Sequence, residues 1–126
     1  ATDGKPAIKY VVLDTDAPEK WGTLTAIDLA AKGKILWQNK TKDPLVGGVL
    51  ATAGGLVFNG EGNGDFAAYD AKTGEKLWRF ACGAGVNAPP ISYAIDGRQY
   101  VAVAAGGSQI WGFRQGGAVI VFGLAD

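Results

Sequence analysis

Leu24-Thr25-Ala26-Ile27-Asp28-Leu29-Ala30-Ala31-Lys32-Gly33-Lys34-Ile35-Leu36-Trp37 returns further along the chain as Phe66-Ala67-Ala68-Tyr69-Asp70-Ala71-Lys72-Thr73-Gly74-Glu75-Lys76-Leu77-Trp78. The two aspartates are 42 residues apart and the two tryptophans 41, because the first copy carries one extra residue between its Asp and its Gly. A period near 40 built from short strands is the spacing of a β-propeller blade, a four-stranded sheet packed against its neighbours. Each copy reads as a hairpin. Alternating apolar residues lead into Asp, whose carboxylate accepts bonds from turn N–H groups, and Gly supplies the positive φ of a tight return. The outgoing strand then carries Trp, which is expected to project into the space beside the next blade. These are architectural residues, and no chemistry is assigned to them.

The remaining chain fits the same scheme. Val49-Leu50-Ala51-Thr52-Ala53, Gly54-Gly55 and Leu56-Val57-Phe58-Asn59 read as strand, glycine turn and strand. Ile91-Ser92-Tyr93 and Gln99 to Ala105 flank an Asp96-Gly97 hairpin signal. A glycine-flanked loop from Gly106 to Gly117 precedes a last strand, Ala118 to Phe122, and Ile8 to Leu13 is a further strand near the start. The total is about ten strands and no helix. The expected fold is all-β: a partial β-propeller of about two to three four-stranded antiparallel blades. Residues 1–126 form one propeller segment, with blade-like repeats near 24–65 and 66–105 and the last strand near 118–122.

Composition narrows the function classes. The chain has 126 residues, 12 Lys+Arg against 12 Asp+Glu, no His and one Cys. Zero net charge argues against nucleic acid or an anionic membrane as partner. Without His and with a single Cys, the usual zinc sites, Cys–His or Ser–His nucleophile pairs and Cys-x-x-Cys redox motifs are excluded. No apolar run approaches the roughly 18 to 20 residues of a membrane-spanning helix.

Three local patterns are set aside. Gly83-Ala84-Gly85-Val86-Asn87-Ala88 fits a dinucleotide fingerprint, but that site needs a helix to start there, and Pro89-Pro90 forbids one. Asn59, Glu61, Asn63, Gly64 and Asp70 fall on calcium-loop positions, yet the template wants Asp first, Glu last and flanking helices. Cys82 follows an aromatic strand and reads as a small buried thiol, and Trp21 reads as core. Trp111 sits in the long glycine-bordered loop, where loops carry ligand contacts.

The repeated Ala-x-Asp…Gly-Lys/Glu…Trp unit resembles the tryptophan-docking motif of the quinoprotein dehydrogenases. Trp21 to Asp28, Leu45 to Phe58 and Gly97 to Val103 resemble, in the right order, consecutive landmarks of the last blades of alcohol dehydrogenases of this type. The resemblance covers about residues 20 to 124. It implies an eight-bladed propeller with pyrroloquinoline quinone (PQQ) on its axis, held with calcium or a lanthanide, in a periplasmic enzyme that oxidises a small alcohol, polyol or sugar. It also implies that the metal carboxylates, the catalytic Asp and the adjacent Cys-Cys ring lie elsewhere in such a protein. No catalytic residue and no metal ligand is therefore expected in this chain, and no tight cofactor binding by the chain alone.

What the resemblance does place here is cofactor contact from loops. Gly47 and Gly48 match a Gly-Gly of the family, which Trp precedes in methanol-dehydrogenase-like members and Val46 precedes here. Gly106, Gly107 and Ser108 match the loop that approaches the quinone, and Asn87 is placed to reach the same axis. The candidate cofactor-binding residues are Gly47, Gly48, Asn87, Gly107, Ser108 and Trp111. The expected partners are the remaining blades of a parent protein or a second copy of the chain. The alternative function is a non-enzymatic periplasmic propeller scaffold for protein–protein interaction.

Overall fold

A computed structural model describes residues 20–124. Among these residues there are nine strands and no helix. They are β1 (Gly22–Asp28), β2 (Lys34–Thr41), β3 (Val49–Ala51), β4 (Leu56–Gly60), β5 (Asp65–Asp70), β6 (Lys76–Ala81), β7 (Ile91–Ile95), β8 (Arg98–Ala105) and β9 (Ala118–Gly123). The expected strand at Ile8 to Leu13 lies outside the described residues. The strands form three antiparallel sheets in simple chain order: β1-β2, β3-β4-β5-β6 and β7-β8-β9. This is the all-β, partial-propeller architecture. The middle sheet has four strands, while the first has two and the last three.

The two repeat copies form the β1-β2 and β5-β6 hairpins, and their turn chemistry is local. Asp28 Oδ1 accepts from the N–H groups of Ala30 at 2.9 Å and Ala31 at 3.2 Å. Asp70 Oδ1 accepts from the N–H groups of Lys72 and Thr73, both at 2.8 Å, and from Thr73 Oγ1 at 3.1 Å. Those donors, Thr73 first and Lys72 next, hold the Asp70 carboxyl below its ordinary value. The extra residue of the first copy is absorbed by a second left-handed position, Lys32 at φ 56° ahead of Gly33 at 80°; the second copy needs only Gly74 at 75°. Both hairpins carry a register shift at the same place, between Ala26 and Ile27 and between Ala68 and Tyr69. The Asp96-Gly97 return joins β7 to β8 with φ of 50° and 77°, as a two-residue hairpin turn demands.

Packing follows from the two-residue period of a strand. The run Phe66-Ala67-Ala68-Tyr69 in β5 is buried throughout because the middle sheet is covered on both faces. On one face Ala67 and Tyr69 join Leu24, with Trp37, Leu45 and Val57 packed around them. On the other, Phe66 joins Ala84, Val86, Val101, Val103 and Ala105, with Phe58 and Phe122 alongside. Trp37 leaves β2 and crosses to the middle sheet. Its indole N–H donates to Ala71 O at 2.9 Å, and a Cβ on Gly74 would lie 2.6 Å from its Cδ2. Asn39, two residues on, donates to Gly74 O at 2.6 Å. Trp21 corrects the sequence expectation of core packing. It is 49% exposed, with Lys40 Nζ 4.9 Å from its ring centroid. Its place beside the short two-stranded sheet gives the ring a cation rather than an apolar layer.

Two glycines with equal φ separate packing from backbone strain. Gly97→Ala meets open space at φ 77°, so it should cost only the left-handed penalty of about 1–2 kcal/mol. Gly74→Ala adds a collision with Trp37 and should cost at least about 1–3 kcal/mol more. Urea unfolding followed by tryptophan fluorescence measures both, and equal losses would show that Trp37 does not press on the turn.

Candidate functional site

The sequence-predicted site residues all lie on connections at one end of the sheets. These are the loops of residues 42–48 and 82–90, which lead from one sheet to the next, and the β8–β9 loop of residues 106–117. The β4–β5 turn of residues 61–64 belongs to the same end. Val86 N–H donates to Glu61 O at 3.0 Å, and Cys82 N–H donates to Gly64 O at 2.8 Å. In the loop before β7, Gly85 N–H donates to Arg114 O at 2.9 Å and Gly107 N–H donates to Gly85 O at 2.8 Å. The loops at the end of the second sheet are thereby tied to one another and to the β8–β9 loop of the third through main-chain bonds.

Gly47, Gly48 and Asn87 come together. A Cβ on Gly47 would lie 3.2 Å from Asn87 O, and one on Gly48 would lie 2.5 Å from Pro89 Cβ. The glycines let one inter-sheet loop press backbone to backbone on the next. Asn87 is half-buried beside them. Gly107, at φ 71°, is held tightly between Gly85 and the Arg114–Gln115 backbone. Ser108 and Trp111 form a separate tip. Ser108 pairs with Phe113 in an isolated bridge, and its Oγ accepts from Trp111 N–H at 3.4 Å. Trp111 faces outward at 44% exposure, next to Ile110 at 93%. The structure thus gathers Gly47, Gly48 and Asn87, ties Gly107 to the neighbouring loop, and sets Ser108 and Trp111 on a projecting tip.

Two features escaped the sequence. Asn59 is almost fully buried; its Nδ2 donates to Gly48 O at 3.5 Å, and its Oδ1 has no partner among the described residues. An unpaired buried carbonyl oxygen costs about 1–3 kcal/mol, so the position under Gly48 stands ready to accept a hydrogen bond. The second feature is a triad of two buried residues, Glu61 and Tyr69, and the more exposed Lys76. Glu61 Oε1 accepts from Tyr69 Oη at 3.3 Å and from Lys76 Nζ at 3.2 Å, and Lys76 lies 5.4 Å from the Tyr69 ring centroid. It borders a cleft of about 640 Å³ between β2 and the β5–β6 hairpin. The four side chains at the calcium-loop positions instead point to separate partners: Asn59 to Gly48, Glu61 to Tyr69 and Lys76, Asn63 to Asp65, and Asp70 to its own turn. Among the described residues no three His, Cys, Asp or Glu side chains gather in one place. Burial, and then Asp65, push the Cys82 thiol above its ordinary value, which favours the unreactive protonated form.

Three consecutive antiparallel sheets, stacked face to face with their connecting loops laced at one end, define a β-propeller segment. Residues 11–101 match the family described as "Glucose/ethanol/alcohol dehydrogenase, beta-propeller domain", and the chain belongs to that family of PQQ-dependent dehydrogenases. It is 48% identical over 102 residues to quinoprotein alcohol dehydrogenase PedE of Pseudomonas putida, covering 81% of this chain and 15% of that protein. The crystal structure of quinohemoprotein alcohol dehydrogenase from Comamonas testosteroni superposes with a TM-score of 0.76 at 41% identity, over 87% of this chain and 18% of that one. A europium-containing methanol dehydrogenase gives 0.66 at 40% identity, over 71% and 16%. The chain therefore spans less than a fifth of the length of these relatives.

The triad predicts alkaline behaviour. Burial raises Tyr69 above its ordinary value, with Lys76 opposing and Glu61 adding to the rise. Burial lowers Lys76, but Glu61 and then Tyr69 outweigh it and leave the amine raised. Groups raised in the folded state contribute stability below their unfolded values and lose it as pH rises through the folded ones, here above about pH 10. In Glu61→Gln both groups fall back towards their unfolded values, so the melting temperature should be lower below about pH 10 and should drop less above it. Coincident profiles would remove Glu61 from the triad.

Proposed function

We propose that this chain is a C-terminal propeller portion of a periplasmic quinoprotein alcohol, polyol or sugar dehydrogenase. It contributes structure and part of the quinone pocket, and it is inactive without the remaining blades. The observation that carries this reading is the family match over residues 11–101 combined with coverage of only 15–18% of the relatives.

The residues present suit one wall of a pocket for a planar, anionic quinone. Uncharged polar groups, Asn87, Ser108 and the unpaired Oδ1 of Asn59, accompany close-packed glycine backbone at one end of the sheets. Trp111 offers an exposed ring for stacking. In this reading Gly47 and Gly48 set the depth of the wall by pressing on Asn87 and Pro89, and Gly107 fixes the start of the Ser108–Trp111 tip. When bound, PQQ supplies the two-electron acceptor for the alcohol. The calcium or lanthanide, the base and the substrate-selecting loops belong to the rest of the polypeptide, as do the routes to the electron acceptor.

Purified 126-residue chain, supplied with PQQ, Ca²⁺ or a lanthanide, an alcohol and a redox dye, should show no turnover above the protein-free control. Steady dye reduction that scales with chain concentration would refute the claim of inactivity. In the longer enzyme, Trp111→Ala should weaken quinone retention on gel filtration while changing the unfolding free energy by no more than about 0.5 kcal/mol, as befits an exposed side chain.

A further inference from the structure

The contact between the first and second sheets changes character along its width. Around Ala67 it is apolar, through Leu24, Leu45 and Val57. Past Tyr69 it opens into the cleft between β2 and the β5–β6 hairpin. That cleft measures about 640 Å³, within the roughly 300–1,000 Å³ of small-molecule sites. Apart from Gly74, every residue lining it carries a charged, amide or hydroxyl group. Such a lining suits a hydrophilic occupant. None of the six candidate quinone contacts takes part in it.

The Glu61 carboxylate is only half used. Glu61 is 8% exposed, and both bonds it accepts, from Tyr69 Oη and Lys76 Nζ, end on Oε1. Oε2 has no partner among the described residues, and it is not sealed from solvent as Asn59 Oδ1 is. An ammonium has three N–H donors, and Lys76 spends one of them on Glu61. Burial opposes the Lys76 charge, but Glu61 and Tyr69 outweigh it, so the group stays a donor at neutral pH. Across the cleft, half-buried Asn39 spends its Nδ2 on Gly74 O, which leaves its Oδ1 as a further acceptor.

The charges of the cleft are largely balanced before any ligand arrives. Glu61 faces Lys76 at 3.2 Å, and Asp65 Oδ2 takes Arg79 Nη1 at 2.9 Å. An anion would be repelled by Glu61 and a cation by Lys76, so a neutral ligand fits best. What the walls offer is a spare acceptor beside a spare donor, and a second acceptor opposite. Several hydroxyls on one molecule complement that set, since each can both donate and accept. We infer that this cleft binds a neutral polyhydroxyl compound, a sugar or a sugar alcohol. Glu61 Oε2 accepts from one hydroxyl, Lys76 Nζ donates to another, and Asn39 Oδ1 accepts from a third. The site holds its ligand and performs no chemistry on it. The inference needs nothing from the quinone reading, and its test contains no redox step.

The probe is D-glucitol, with D-glucose as a second arm, added to ¹⁵N-labelled full chain. Saturable shifts are expected at the amides of Asn39, Glu61, Tyr69 and Lys76 and not at those of Asn87 or Trp111, with a millimolar dissociation constant. The tighter of the two compounds shows whether the cleft takes an open chain or a ring. 1,6-Hexanediol has the carbon chain of glucitol without its inner hydroxyls, and should bind at least about tenfold more weakly. Lys76→Met keeps the stem of a side chain that is 42% exposed, removes the donor, and should weaken binding at least about tenfold. Glu61→Gln keeps the shape, removes the charge, and should weaken it about three- to tenfold. Shifts that only grow linearly with both compounds, as an excluded osmolyte gives, would overturn the inference and leave the cleft to water. So would hexanediol binding as tightly as glucitol, or Lys76→Met binding like the parent chain.

Discussion

The fold depends on one side chain leaving its own sheet. Trp37 is carried by β2 but spends its indole N–H on Ala71 O and its ring surface on Gly74, both in the middle sheet. A pair of strands is marginal by itself in water, and this anchor holds the described β1-β2 pair to its neighbour. The anchor works because the turn it meets is held from within. Asp70 fixes the turn's N–H groups, and Gly74, which has no Cβ, leaves room for the ring. A hairpin copied along the chain thus supplies both the donor and the receiving surface, which is how a repeat becomes a stack of sheets.

The same constraint positions the candidate site. Once the sheets are stacked, their connecting loops must lie side by side at one end, and small residues decide how closely. Gly47 and Gly48 meet Asn87 and Pro89, and Gly107 is held against Gly85. The glycines therefore have a packing reason to be glycine, and the functional weight shifts to the side chains they bring close. In the proposed reading, Asn87, Ser108, Trp111 and Asn59 Oδ1, which has no partner among the described residues, are the groups offered to the quinone. The Glu61–Tyr69–Lys76 triad lies on the other face of the same β4–β5 turn region and is bonded internally through Glu61 Oε1, which suits it to holding the turn rather than to chemistry.

Much of this was legible in the sequence wherever the physics is local. The Asp and Gly of each repeat marked the hairpins because carboxylate-to-amide bonds and positive φ act within four or five residues. The Asp96-Gly97 return was equally plain. Trp21 was not, because its exposure depends on how little sheet stands beside it rather than on its own neighbours in the chain. Nor was the triad, whose members are 8 and 15 residues apart and meet only through strand register.

The sequence by itself determined the strands, the turns, the blade period and the family, since these are written in short-range chemistry and in residue identity that relatives share. Only the tertiary structure decided which tryptophan finds an acceptor. The letters of the two copies are equally good, yet Trp37 has its acceptor and Trp78 has none among the described residues. That difference lies in whether a neighbouring strand is present to bring a carbonyl within about 3 Å, a distance no pattern of residues along one chain can encode by itself.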